Sequence, residues 1–122
     1  MSTVDLQEST FTQTLEDNDI VFVDFWAEWC GPCRSFAPVY DKISEEFPGV
    51  VFAKVDTEAE QTLAQGFQIT SIPTLMAIRD KVVLFSQAGA LPEPALRDLV
   101  TKVQAVDMDD VRTQIAAQNQ GG

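Results

Sequence analysis

The chain reads as one α/β domain, a central sheet covered by helices on both faces, and three observations carry that reading. Its 122 residues are 45% hydrophobic, enough to bury a core of their own without disulfide support. Residues 20–26 (Ile, Val, Phe, Val, Asp, Phe, Trp) and 50–56 are apolar runs rich in β-branched and aromatic side chains, as strands buried on both faces require. Between and after them, apolar residues recur at three- and four-residue spacing, so strands alternate with helices.

In chain order, Phe11 and Leu15 predict a short first helix, with Ser9 as its candidate N-cap. Strand 20–26 follows. Residues 33–47 place Phe36, Val39, Tyr40, Ile43 and Phe47 on one helical face. That helix tolerates Pro38, although proline inside a helix costs about 3 kcal/mol and bends the axis. Strand 50–56 is next, then a short helix from Thr62 to Gln65 with Gly66 as its stop. Residues 74–79 and 82–88 read as a hairpin, yet Asp80 and Lys81 lack the glycine that tight two-residue turns prefer. Glu93 to Val106 is an amphipathic helix carrying Leu96, Leu99, Val100 and Val103 on one stripe. Residues 1–106 therefore form the domain and 107–122 an acidic extension. Asp107 is placed to cap a last helix with Met108, Val111 and Ile115 in line. That extension packs back, frays as a solvated tail, or recruits a partner.

Nineteen acidic and eight basic residues leave a net charge of −11, with no clustered Lys and Arg. Phosphate recognition depends on such clusters, so nucleic acid is a poor partner. The charge serves solubility; selection of basic partner surfaces is the sharper alternative. No apolar run approaches membrane-spanning length, and no basic, apolar, small-residue segment of a secretory leader opens the chain. The expectation is a cytoplasmic protein.

The chemistry lies in Trp29, Cys30, Gly31, Pro32, Cys33, which hold the chain's two cysteines; histidine is absent throughout. A structural zinc site needs four ligands and the chain offers two of the usual kinds. A Cys–His nucleophile is excluded. A staple closing four residues would contribute only about 2 kcal/mol. Thiol–disulfide exchange remains, beside the bland reading of two inert thiols and the remoter one of a metal-bridged dimer. Position favours exchange. The pair opens the helix after strand 20–26, where Pro32 suits the first turn and free backbone N–H groups stabilise an anion at Cys30. Cys30 is the expected nucleophile, and Cys33, inside the helix, the less accessible and less acidic thiol. Arg34 is the first basic residue of the chain and supports a thiolate, against Asp24 and Glu28.

Asp24 interrupts an otherwise apolar strand, where an ionised carboxylate is costly unless paired. Either it reaches water or a lysine at the strand end, or it is a desolvated carboxyl that takes or delivers a proton for Cys33. Lys54, on strand 50–56, is its candidate partner.

The run Val23, Asp24, Phe25, Trp26, Ala27, Glu28, Trp29, Cys30, Gly31, Pro32, Cys33 resembles the active-site signature of the thioredoxin family. Ala53 to Asp56 resembles that family's third strand, Ser71 to Thr74 its cis-proline loop, and Ala88 to Ala90 its last-strand exit. The resemblance covers residues 1 to about 106. It implies the thioredoxin fold, a central mixed five-stranded sheet flanked by helices on both faces, to which the spacing after Asp107 adds an extra C-terminal helix. It also implies a cis bond before Pro73, leaving the Ile72 backbone free beside Cys30 to pair with an extended client segment. Trp29, Gly31, Pro32, Ile72, Pro73 and Gly89 would then form the client-binding surface. The implied activity is reduction of protein disulfides by the Cys30/Cys33 couple. A flavin-containing, NADPH-dependent thioredoxin reductase would reset that couple, with no cofactor or metal bound and a monomeric chain. A disulfide oxidase or isomerase of the same fold, and a binding module responsive to redox state, are the alternatives.

Overall fold

The computed structural model describes residues 2–121, with side chains described through residue 118. Ten elements follow one another: β1 (Thr3–Asp5), α1 (Glu8–Asp17), β2 (Ile20–Trp26), α2 (Gly31–Glu46), β3 (Val51–Asp56), α3 (Gln61–Gly66), β4 (Thr74–Arg79), β5 (Val82–Ala88), α4 (Glu93–Ala105) and α5 (Met108–Gly121). The five strands form one sheet in the order β1-β3-β2-β4-β5. Parallel pairing joins β1 to β3 and β2 to β3, and antiparallel pairing joins β2 to β4 and β4 to β5. The sheet is mixed, as expected, and β2 lies at its centre.

Side chains alternate across the pleat, so the two faces of β2 bury different partners. Phe22 joins Phe52, Leu75 and Ala77 beneath α2 and α4, against Phe36, Tyr40, Ile43, Leu96, Val100 and Val103. Val21, Val23 and Phe25 join Ala53, Val55, Met76 and Ile78 on the other face, against Leu6 and Phe11. Burying a side chain of this size contributes about 1.5–3 kcal/mol, so each cluster stabilises the fold substantially. Asp24 falls on the α2 side with Phe22.

Several local features depart from the sequence reading. Helix α1 is capped at Gln7, not Ser9; the Gln7 N–H donates to the Thr10 hydroxyl at 3.1 Å. The reason lies one residue earlier. The Leu6 N–H donates to the Lys54 carbonyl at 2.9 Å, so the chain stays paired with β3 until Leu6 and turns into the helix directly after it. Gly66 is the last residue of α3 and does not make its stop. Gln68 does, at φ 56°, with its N–H on the Gln65 carbonyl and the Ile69 N–H on that of Ala64. That pattern closes a helix end with a left-handed residue, here without glycine. The hairpin turn likewise uses two left-handed non-glycine residues, Asp80 at φ 51° and Lys81 at φ 66°. The Asp80 N–H donates to the Asp19 carbonyl at 2.8 Å, and Arg112 of α5 pairs with its carboxylate at 3.2 Å. These tertiary contacts hold the turn that glycine would otherwise favour.

At the end of α4, one guanidinium nitrogen of Arg79 donates to the carbonyls of Val103, Gln104 and Val106 at 2.9–3.0 Å. A cation on exposed C-terminal carbonyls offsets the helix dipole. The Asp107 carboxylate then accepts the N–H groups of Asp109 and Asp110, starting α5, and Met108 is buried.

Candidate active site

The cysteines sit where β2 hands over to α2. Cys30 is the N-cap of α2, in extended conformation, and the Cys33 N–H donates to the Cys30 sulfur at 3.2 Å. The two are joined as a disulfide, with Cα atoms 5.2 Å apart. Pro32 stands in the first turn, where no N–H is needed. A Cβ added at Gly31 would meet nothing within 4 Å, so no close packing requires glycine there. In this oxidised form Cys30 and Cys33 are 4% and 3% exposed, so the expected difference in accessibility is not seen. Ala27 completes a buried cluster with the two cysteines, and Trp26 and Ile72 pack against that cluster. Arg34 is exposed on the first turn of α2 and makes no ion pair among the described residues.

Across the site, the Ile72 carbonyl oxygen lies 3.8 Å from the Cys30 sulfur. The Ile72–Pro73 peptide bond is cis. The Gly89 N–H donates to the Pro73 carbonyl at 2.8 Å, and its φ of 106° is one that only glycine adopts without strain. Gly89 thus ties the exit of β5 to the Pro73 loop, while Trp29, 68% exposed, lines a hollow together with Ile72 of that loop.

Asp24 is fully buried, and neither carboxylate oxygen has a hydrogen-bond partner among the described residues. Burial pushes its pKa up to about 7, with Lys54 acting in the opposite direction. Asp24 and Lys54 are direct cross-strand partners of β2 and β3, on the same side of the pleat. The Lys54 ammonium lies over the Trp26 ring, 4.8 Å from its centroid. It weakens the burial effect without cancelling it. Tyr40, from α2, feels the same group: burial first and the Asp24 charge second hold its hydroxyl well above the usual range, and it donates to the Ala53 carbonyl at 2.8 Å.

Sequence reasoning missed Glu58, whose carboxylate accepts the Trp29 indole N–H at 2.5 Å. It also missed the wall of Thr57, Ala64 and Ile69 beside Trp29. Asp56, Thr57, Glu58 at the end of β3 carries one usable signal, since an aspartate there often bonds the backbone two residues on. The Asp56 carboxylate does accept the Glu58 N–H, at 2.9 Å.

A CxxC disulfide that caps the helix after the central strand, beside a cis-proline loop, defines a thiol–disulfide oxidoreductase. The thioredoxin family model matches residues 2–102. A Streptomyces coelicolor protein named as a thioredoxin is 56% identical over 117 residues, covering 96% of this chain and 87% of that one. Thioredoxin 1 of Nostoc is 41% identical over 97 residues, covering 78% and 91%. Among solved structures, a Halobacterium salinarum thioredoxin variant superposes with a TM-score of 0.78 at 30% identity, covering 87% of this chain and 95% of that one. The chain belongs to the thioredoxin family. It is a protein-disulfide reductase whose redox centre is the Cys30–Cys33 pair, and the family carries no prosthetic group. Among the described residues no helix is long and apolar enough to cross a membrane, and no group of three metal-ligating side chains comes together.

Proposed function

We propose that Cys30, as a thiolate, attacks one sulfur of a client disulfide; that bond breaks, a mixed disulfide forms, and the first client sulfur leaves and takes up a proton. Cys33 then loses its proton and attacks the Cys30 sulfur. The second client thiol is released, and the Cys30–Cys33 disulfide remains. Two electrons have passed to the client. The observation that carries this reading is the Cys33 N–H directed at the Cys30 sulfur, which stabilises negative charge there when the pair is reduced. Asp24 is the proton acceptor for Cys33: a buried carboxyl with a pKa of about 7 exchanges a proton readily at neutral pH. Lys54 moderates Asp24, and Arg34 adds positive charge near the helix start. Trp29, Gly31, Pro32, Ile72, Pro73 and Gly89 bind the client, with Ile72 lending its backbone to an extended segment.

Reduction of the spent disulfide falls to a flavin-containing thioredoxin reductase drawing on NADPH, by which the chain serves electron transport and cell redox homeostasis in the cytoplasm as a monomer. Residues 1–106 are the exchanging domain and 107–122 an appended acidic extension; the family model's match to residues 2–102 supports that division. With such a reductase and NADPH, the chain should sustain NADPH oxidation in the presence of a disulfide-containing protein. The Cys30→Ser chain should fall to the rate of the reductase alone. Undiminished turnover by that variant would remove Cys30 from the nucleophile's role.

A further inference from the structure

Two adjoining hollows run from the redox centre toward α3. The nearer, of about 190 Å³, lies between Trp29, Ile69 and Ile72. The farther, of about 280 Å³, shares Thr57, Ala64 and Ile69 with it and is closed by Glu58, Gln61 and Gln65. Together they form one slot, apolar near Cys30 and polar at its far end. Glu58 is the single ionisable side chain on either wall, and it has no ion pair among the described residues. Its position is fixed twice: the Trp29 indole N–H donates to its carboxylate, and its own N–H donates to Asp56. The Glu58 carbonyl accepts from the Gln61 side chain at 3.3 Å, which holds the start of α3 against the same loop.

We infer that this slot takes an arginine or lysine side chain of the client, its stem in the apolar half and its cationic head at Glu58. This rests on the exchange reading of Cys30 and Cys33 and adds the class of client preferred. Long cationic side chains lay an apolar stem along apolar surface and keep the charge at a polar end, which is the sequence of environments the slot provides. The exposed Trp29 ring adds a face over which a cation is attracted. A neutral aliphatic side chain would fill the near half and partly desolvate the Glu58 carboxylate without bringing it a counter-charge. An acidic one would meet Glu58 and a chain of net charge −11. Clients whose reacting cysteine lies close in sequence to an arginine or lysine are therefore reduced fastest.

Cyclic disulfide peptides that differ at one position, scanned over the two residues on either side of the reacting cysteine, test this directly. At the best position and low salt, kcat/KM for the arginine peptide should exceed that for the norleucine peptide by about fivefold, with the glutamate peptide slowest. In the Glu58→Gln chain the arginine-to-norleucine ratio should fall to near one, because the glutamine oxygen still accepts the indole hydrogen bond and only the charge is lost. In Gln65→Glu the ratio should rise. Bis(2-hydroxyethyl) disulfide, which has no side chain to place in the slot, separates the two readings. If the wild-type chain fails to reduce it, the exchange reading fails. If it is reduced while arginine and norleucine peptides react equally at every position, or if Glu58→Gln keeps the full preference, the slot assignment is overturned.

Discussion

Cys33→Ser should convert the protein from a catalyst into a trap. Cys30 still caps α2 and still receives the N–H of residue 33, so attack on a client disulfide proceeds. The second attack has no nucleophile. One client thiol should appear per chain, followed by a covalent complex that persists on non-reducing gels and dissolves in dithiothreitol. Turnover then depends on outside thiols, which lack the advantage of a tethered group 5.2 Å away, Cα to Cα, and at millimolar concentration it should fall by at least about 10³. The Cys30→Ser chain should form no such complex. Equal trapping by both variants would contradict the division of labour between the sulfurs.

Asp24→Asn should make the oxidised protein more stable at alkaline pH while slowing client release. The folded pKa of Asp24, about 7, lies above its unfolded value of 3.8, because burial penalises the charged form. Between those values the folded chain binds the proton that the unfolded chain has lost, so stability falls as pH rises through that window. Only well below pH 3.8 is the carboxyl neutral in both states, and there the penalty vanishes. Above pH 7 it is fully present, and a difference of about three pKa units corresponds to about 4 kcal/mol. Asparagine has nothing to ionise. Urea unfolding should therefore find the two proteins alike well below pH 3.8, with the variant ahead by up to about 4 kcal/mol at pH 8.5. The same substitution removes the proton acceptor, so resolution of a preformed mixed disulfide at pH 7.5 should slow by about 10² and lose the wild type's inflection near pH 7. A stability difference independent of pH would show that Asp24 is not buried as described.

That Asp24 was legible at all follows from contrast: one carboxylate in the run Ile Val Phe Val Asp Phe Trp cannot be core packing. Helices α2 and α4 were legible because their apolar residues repeat with the helical period, and β2 and β3 because nothing polar but Asp24, Lys54 and Asp56 interrupts them. β1 was not. Three residues, one half-buried and two exposed, carry no pattern, and what makes Thr3–Asp5 a strand is pairing with residues about fifty positions away in β3. Gln68, Asp80 and Lys81 adopt backbone conformations that local chemistry assigns to glycine, and tertiary contacts such as Asp80 to Asp19 and Arg112 hold the hairpin turn. The redox motif could be read from five consecutive residues, whereas the wall beside it could not. Trp29 meets Thr57, Glu58 and Ile69 only after β2 and β3 pair and α3 folds over them, and no spacing in the chain announces that. The cis bond before Pro73 came from the family resemblance alone, since an isolated Ile-Pro step favours trans.

The equilibrium reduction potential of the Cys30–Cys33 couple tests the central claim most directly, read from Trp29 fluorescence across graded dithiothreitol buffers. A disulfide reductase must hold its electrons at a potential from which client disulfides accept them. The account predicts one reversible two-electron transition, clearly more negative than the approximately −180 mV of protein disulfide isomerase. A midpoint at or above that value would make the protein an oxidant or isomerase, and no reversible transition would leave a binding module; either result contradicts the account.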